Sequence, residues 1–478
     1  MSGHDPWDLV VIGSGPAGQK AAVQASKGGM KVAVIERHAQ VGGECVQRGT
    51  IPSKTLRETT MAFATFRQRC AGAFDATLPE NMKVESLMGR LQQVVAGHHD
   101  YIGAQLKRNG IAHIHGRARF TGPHELEIVG VDGAKRRART RYAVIAVGSR
   151  PRVPAEVPVD HEHILDSDSI LSLLYLPKSL TILGAGVIAS EYASIFAALG
   201  VRVAMVDKHP SPVNFLDPEI TGRFVKSFER AGGRYVAGKH REVTWDGVET
   251  VVELESGETL RSEKLLCCLG REAALNRLDV AAAGLKVTER GFLAVDEHCR
   301  TNVPHIYAVG DVIGPPALAA SSMEQGRRAV CHLLGLDPGA SAETIPVGIY
   351  AIPEMAGVGL SEAQAHERFG GAMVGRARFE EIARGHIAGL QNGLLKMVAD
   401  AEGKRLLGVQ IVGEGATELI HLGQMGLLSG CAVDVFVENI FNFPTLAEAY
   451  RVAALDIAEQ RGLMARPQPK TLPEAAGD

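Results

Sequence analysis

DLVVIGSGPAGQKAAVQASKGGMKVAVIER, residues 8–37, runs strand, glycine turn, helix, strand. Its turn is a GxGxxG made by Gly13, Gly15 and Gly18. Gly13 permits the tight turn, Gly15 lets backbone approach a pyrophosphate, and Gly18 lets helix and strand pack closely. The helix N-terminus then offers N–H donors to phosphates. Glu36 closes the second strand at the distance along the chain where a carboxylate can accept both ribose hydroxyls of an adenosine. A GxGxxG alone is weak evidence. Flanked by strand, helix and acid, it is a strong dinucleotide signal. The same unit recurs at 179–208, SLTILGAGVIASEYASIFAALGVRVAMVDK, with Gly184, Gly186 and Ala189 at the turn and Asp207 in the place of Glu36.

Two such units predict an α/β protein with two Rossmann-like dinucleotide-binding domains, one for a flavin and one for a nicotinamide, with hydride chemistry between them. A length of 478 residues suggests about three domains at roughly 100 to 200 residues each. The formal charge of −3 gives no reason to expect nucleic acid or an anionic membrane as partner. The one basic run, Lys135, Arg136, Arg137, Arg139 and Arg141, follows an Asp132-Gly133 turn pair and reads as a solvated hairpin. Seven cysteines form no CxxC pair and are expected as small buried hydrophobes. No signal-like leader precedes Asp8, and no apolar run approaches the roughly 18 residues of a membrane helix, so a cytoplasmic protein is expected.

Three more strands end at glycine: YAVIAVGSRP (142–151), KLLCCLGREA (264–273) and HIYAVGDVIG (305–314). The last puts Asp311 at the C-terminal edge of a sheet, where open α/β folds bind ligands, although without the surrounding pattern a turn or helix-capping role is the favoured reading of an Asp there. From about residue 346 an antiparallel pattern takes over, with turns expected at Asn392-Gly393 and Glu402-Gly403, then helices to about Gln460. This part carries no dinucleotide motif and is assigned to an interface. Residues 466–478 are expected to be a flexible tail. The histidines at 98–99 and 161–163 lack a third partner at ligand spacing and read as solvated, so no metal is expected.

GSGPAG, GGECVQRGTIPSK (42–54), GAGVIASEYASIF, YAVGDVIG and NFPTLAEAYRVAA, in this order, resemble the pyridine nucleotide-disulfide oxidoreductase family over residues 6–460. ECVQRGTIPSK, LDSDSILS, PVGIYAIPE and FNFPTLAEAYRVAAL are most similar to its soluble, Si-specific NAD(P)+ transhydrogenase members. The resemblance implies an FAD domain (1–150 and 273–345), an inserted NAD(P) domain (151–272) and a C-terminal α+β dimerisation domain (346–465), hence a homodimer or larger homo-oligomer. It places Gly13, Gly15, Gly18, Glu36, Gly43, Thr50, Lys54, Gly148, Gly310, Asp311 and Ala319 at FAD. It places Gly184, Gly186, Ala189, Asp207, Lys208 and Gly270 at NAD or NADP.

Two departures from the disulfide-reducing pattern bear on function. Cys45 is present, but the second sulfur's position holds Thr50, and one thiol cannot exchange with a substrate disulfide. The imidazole of the family's His-Pro-Thr segment is replaced by Phe443, with Glu448 retained, so no acid/base proton is available there. Hydride transfer needs neither group. The expected function is NADPH + NAD+ ⇌ NADP+ + NADH by a ping-pong route through flavin N5. By resemblance Lys54 lies beside the flavin and pairs with Glu191, while Cys45 is either catalytic or a vestige. An NAD(P)H-dependent quinone, dye or oxygen reductase and a non-catalytic lipoamide-dehydrogenase-like protein are the alternatives. Asp207 with Lys208 and His209 behind it suits a site for both nicotinamides, or one preferring NAD.

Overall fold

A computed structural model describes residues 7–70, 84–340 and 344–464, so the expected tail at 466–478 lies outside the described residues. The chain divides into two compact units. The first holds residues 1–184, 201–206 and 238–341, and the second 185–200, 207–237 and 342–478.

In the first unit, β1 (Trp7–Ile12) runs parallel between β2 (Val32–Glu36) and β6 (Lys135–Ile145). The strand β3 (Ala112–His115) extends the sheet beyond β2, and the short strand Ile306–Ala308 pairs with β6. Leu9, Val10 and Val11 are fully buried, as a parallel strand covered on both faces requires. Helix α1 (Pro16–Lys27) starts at the glycine turn and packs on α4 (Ala319–Leu333), with α2 (Thr50–Arg69) and α3 (Val84–Arg108) between them in sequence. The approach of α1 and α4 depends on Gly326: a Cβ there would stand 2.2 Å from the Ala17 carbonyl oxygen.

The strands β4 (Arg117–Gly122) and β5 (Glu125–Val129) join β6 in an antiparallel meander. Asp132 accepts the Ala134 N–H and Gly133 takes φ +76°, closing the expected basic hairpin, whose Lys135, Arg136, Arg137, Arg139 and Arg141 are exposed. The second motif supplies another parallel set, in which Ser179–Leu183 lies between Arg202–Asp207 and Lys264–Cys267.

The second unit contains helix Val187–Ala198, which follows the second glycine turn, and helix Pro218–Arg230. Its C-terminal part is a five-stranded antiparallel sheet, ordered Val347–Ile349, Met355–Gly359, Leu406–Val412, Leu394–Asp400, Ala372–Arg378. Helix Glu448–Met464 covers two of these strands, and Gly375 lets it close in, since a Cβ there would lie 1.9 Å from the Ala453 carbonyl oxygen. Lys396 is buried in this unit, with Nζ 2.8 Å from Asp217 and 2.7 Å from Glu362. Glu402-Gly403 turns between strands as expected. Asn392-Gly393 does not: residues 383–388 before it are helical, and the chain merely bends into Leu394.

Candidate active site

The first glycine turn is tied to its acid. Glu36 accepts from the Ser14 N–H at 2.9 Å and the Ser14 hydroxyl at 2.6 Å through one oxygen, and from the His38 N–H at 3.0 Å through the other. The Ser14 hydroxyl in turn accepts the Gly42 N–H at 2.9 Å. Ser14 therefore links turn, acid and the 42–54 segment. Gly13 takes φ +103°, and a Cβ on it would fall 2.3 Å from the Ala146 carbonyl oxygen. Gly43 takes φ +62°, and its Cβ would lie 2.6 Å from Gly15 Cα. Two bare backbones thus face each other beside the N-terminus of α1, whose first turn has no side-chain cap. That cradle, with the buried Glu36 at its edge, fits the adenosine and pyrophosphate of a dinucleotide.

The segment 43–47 is a short helix, and α2 begins at Thr50. Burial pushes the Cys45 thiol up, and the neighbouring Thr50 side chain and Lys54 cation offset that only in part. All seven cysteines are free thiols. Only Cys267 and Cys331 are fully buried, and the other five, Cys45 included, are partly exposed. The half-buried Lys54 has Nζ 3.5 Å from Ser53 Oγ. Glu44 points away from this turn toward a cationic rim. Burial raises its pKa, but His38 at 3.7 Å and the Arg37 and Arg48 cations, Arg37 donating a hydrogen bond, outweigh it and hold Glu44 down at about 2.

Asp311 follows Gly310, which takes φ +79°. Its carboxylate accepts the Ser149 hydroxyl at 2.6 Å, and that hydroxyl accepts Arg271 Nε at 2.7 Å. Asp311 is held by a side-chain relay, not by helix capping. Gly148 and Gly270, one at each strand end flanking this relay, have φ +70° and +108° and open space where a Cβ would point. Ala319 opens α4 with no side-chain cap on its first turn.

The second turn repeats the first with changes that include Ser14 to Ala185, Gly18 to Ala189 and Glu36 to Asp207. Asp207 accepts the Ala185 N–H at 3.0 Å and the His209 N–H at 2.9 Å, the counterparts of Ser14 and His38, but Ala185 has no hydroxyl. Gly184 takes φ +100°, and a Cβ there would meet the Cys268 carbonyl oxygen at 2.5 Å. Gly186 caps the following helix and has open space around it. Ala189 is buried, whereas at Gly18 a Cβ would stand 2.0 Å from the Gly13 carbonyl oxygen, so only the second turn has room for alanine. Lys208 and His209 are exposed. Glu191 is buried and accepts the Tyr350 N–H at 2.9 Å. Phe443 is 67 % exposed, and Glu448 sits 3.4 Å from the Thr445 N–H.

The description "pyridine nucleotide-disulphide oxidoreductase" matches residues 7–326, and that family's dimerisation domain matches residues 345–454. The chain belongs to this family. A soluble pyridine nucleotide transhydrogenase of Mycobacterium tuberculosis is 42% identical over 94% of this chain and 97% of its own length. One from Marinobacter nauticus is 39% identical over 94% and 98%. Among solved structures, the HOCl-induced flavoprotein disulfide reductase of Escherichia coli, as its Cu(II) complex, matches with TM-score 0.86 and 25% identity over 95% of this chain and 99% of its own. LpdA of Mycobacterium tuberculosis matches with TM-score 0.85 and 25% identity over 94% and 99%. Like its family, the chain is an oxidoreductase with two Rossmann-like domains and a C-terminal dimerisation domain.

Sequence reading missed three members of this site. Ser14 lies inside the GxGxxG as an unspecified residue, and its only signal was a hydroxyl between two glycines. Ser149 and Arg271 are far apart in sequence but meet because Ser149–Pro151 and Arg271–Ala273 pair antiparallel. One expectation needs correcting: His99 is buried, and burial lowers its pKa, because it lies on the inner face of α3 and not in solvent. His163 packs on Trp245 at 4.2 Å and lies 3.3 Å from Asp160. Among the described residues no group of three or more His, Cys, Asp or Glu could hold a metal ion, and no helix is long and apolar enough to cross a membrane.

Proposed function

We propose that this chain is a soluble FAD-dependent transhydrogenase, catalysing NADPH + NAD+ ⇌ NADP+ + NADH by a ping-pong route without a redox-active disulfide. The observation carrying this reading is that Thr50 stands where a second sulfur would be needed, leaving Cys45 as a lone free thiol. The names of the 42% and 39% identical relatives support the same activity. FAD, when bound, supplies the hydride store between the two nicotinamides.

The chain's own residues then bind and orient. In this reading Gly13, Gly15, Gly18 and Gly43 admit the flavin's pyrophosphate, Glu36 takes its ribose, and Gly148, Thr50, Gly310, Asp311 and Ala319 border the rest. Gly184, Gly186, Ala189 and Gly270 admit the nicotinamide dinucleotide, whose ribose goes to Asp207 with Lys208 beside it. Lys54, with Glu191 as counterion, favours negative charge on the flavin, and Cys45 is a vestige. The domains divide at 150, 272 and 345, and the protein works in the cytoplasm as a homodimer or larger assembly.

The test is reduction of thio-NAD+ by NADPH with the purified yellow protein. A fast, flavin-dependent rate is expected, and Lys54→Met should slow flavin reduction by tenfold or more while leaving FAD bound. A negligible rate alongside normal flavin bleaching would sink the transhydrogenase reading in favour of a quinone, dye or oxygen acceptor. Unchanged stopped-flow reduction in Lys54→Met would remove that residue from the mechanism.

A further inference from the structure

An open pocket of about 400 Å³ in the first unit is lined by Arg37, Arg117, Arg119 and Arg277, together with Gly116 and Gly130, and no carboxylate lines it. Arg117 and Arg119 project from β4, one on each side of the inward-facing Ala118. Arg277 is carried to them by the segment before Leu278, whose carbonyl accepts the Phe120 N–H at 2.9 Å. It is held there at φ +70°, a left-handed conformation unfavourable for a residue with a side chain. Arg37 directly follows the end of β2.

The charges are half compensated. Arg37 pairs with Glu44 at 2.5 Å and Arg119 with Glu127 at 2.9 Å, and Glu127 is shared with Lys135 at 3.5 Å. Arg117 and Arg277 pair with no carboxylate among the described residues. Burial, and then the like charges of Arg277 and Arg37, push Arg117 down from its ordinary value. Four planar guanidiniums around one concavity form the donor set that matches a phosphate group, each able to donate two parallel hydrogen bonds.

We infer that this pocket is an anion site for a small phosphate-bearing molecule carrying two or more negative charges, separate from both glycine turns. Free inorganic phosphate species and a phosphate ester share that chemistry. The inference does not depend on which acceptor the flavin serves.

The experiment is isothermal titration of the FAD-loaded protein with inorganic pyrophosphate and, separately, with glycerol 3-phosphate, at fixed ionic strength. Saturable binding of one equivalent per chain is expected for at least one probe, and which probe binds identifies the source. The double variant Arg119→Gln/Arg277→Gln should bind at least tenfold more weakly, with its FAD content and transhydrogenation rate unchanged. Arg241→Gln/Arg261→Gln, which removes the same charge elsewhere in the first unit, should bind as the parent does. Failure of both probes to saturate, or equal weakening in the two double variants, overturns the site. Loss of FAD from Arg119→Gln/Arg277→Gln would overturn it too, by making the pocket part of the flavin's seat.

Discussion

Glu44 stands next to the one cysteine of the 42–54 segment yet belongs to a different interaction, the rim of Arg37, His38 and Arg48. Its folded pKa of about 2 lies below the ordinary 4.5. The ionised form is therefore the one that folding favours, and the associated stability is fully present above pH 4.5 and lost as pH falls toward 2. At about 1.4 kcal/mol per pKa unit the contribution is at most about 3.5 kcal/mol. Glu44→Gln should thus lower the urea midpoint at pH 6 and do so much less at pH 3. An equal penalty at both pH values would mean that the lost contact is steric, not ionic. The charge pattern here was legible only in part. Arg37 and Arg48 flank the segment in sequence, but nothing in their spacing showed that Glu44 turns toward them while Cys45 turns toward Thr50. Asp207 was legible from its position alone, and its two backbone hydrogen bonds leave the proposed 2′-OH contact as a competition with Ala185 and His209. Asp207→Asn should lower the KM for NADPH by removing repulsion of a 2′-phosphate. An unchanged KM for both nicotinamides would place the adenosine ribose elsewhere.

At the scale of elements, glycine carried most of the readable signal, and also the misreading. Gly43 and Gly15 sit where two backbones face each other, so Gly43→Ala should fold but purify with little flavin, because the added methyl lies within 2.6 Å of Gly15 Cα and φ +62° disfavours any side chain. Absorbance at the flavin band of the purified variant is the check; full yellow colour would show that the cradle relaxes. Asn392-Gly393 is the opposite case. The pair is a strong hairpin signal in sequence, but Gly393 is required by a ring: a Cβ there would lie 2.1 Å from the Phe379 side chain. A glycine demanded by packing and a glycine demanded by φ look alike in a sequence. The βαβ units were readable because strand, turn, helix and acid all pointed the same way. The relay from Arg271 through Ser149 to Asp311 was not, because it depends on a strand pairing 122 residues apart.

For the molecule as a whole, the second unit leaves large apolar side chains uncovered. Leu422, Met425 and Leu428 on helix Ala416–Leu428, with Ile440, Phe443 and Leu455, are between 41% and 89% exposed. Apolar exposure on that scale marks an interaction surface, and it falls in the part of the chain matched as a dimerisation domain. Met425→Glu/Ile440→Glu should shift the protein to monomer in analytical ultracentrifugation, without unfolding the second unit, whose core lies behind Tyr450 and Phe379. A dimer that survives both substitutions would place the interface elsewhere. Phe443 belongs to this exposed group, so the side chain that replaces the family's histidine lies on the same face as the proposed dimer contact.

The two glycine turns differ, among other changes, by the Ser14 hydroxyl that Ala185 lacks. At the first, the Ser14 hydroxyl fastens acid, turn and the 42–54 segment into one piece, while at the second the acid holds only backbone N–H groups and Ala185 has no hydroxyl to make the same tie. A rigid berth keeps its occupant, and a looser one lets it go. In the proposed reaction one dinucleotide stays through many turnovers while the other exchanges at each half-reaction, and the serine-to-alanine difference between the repeats would give the two berths different residence times.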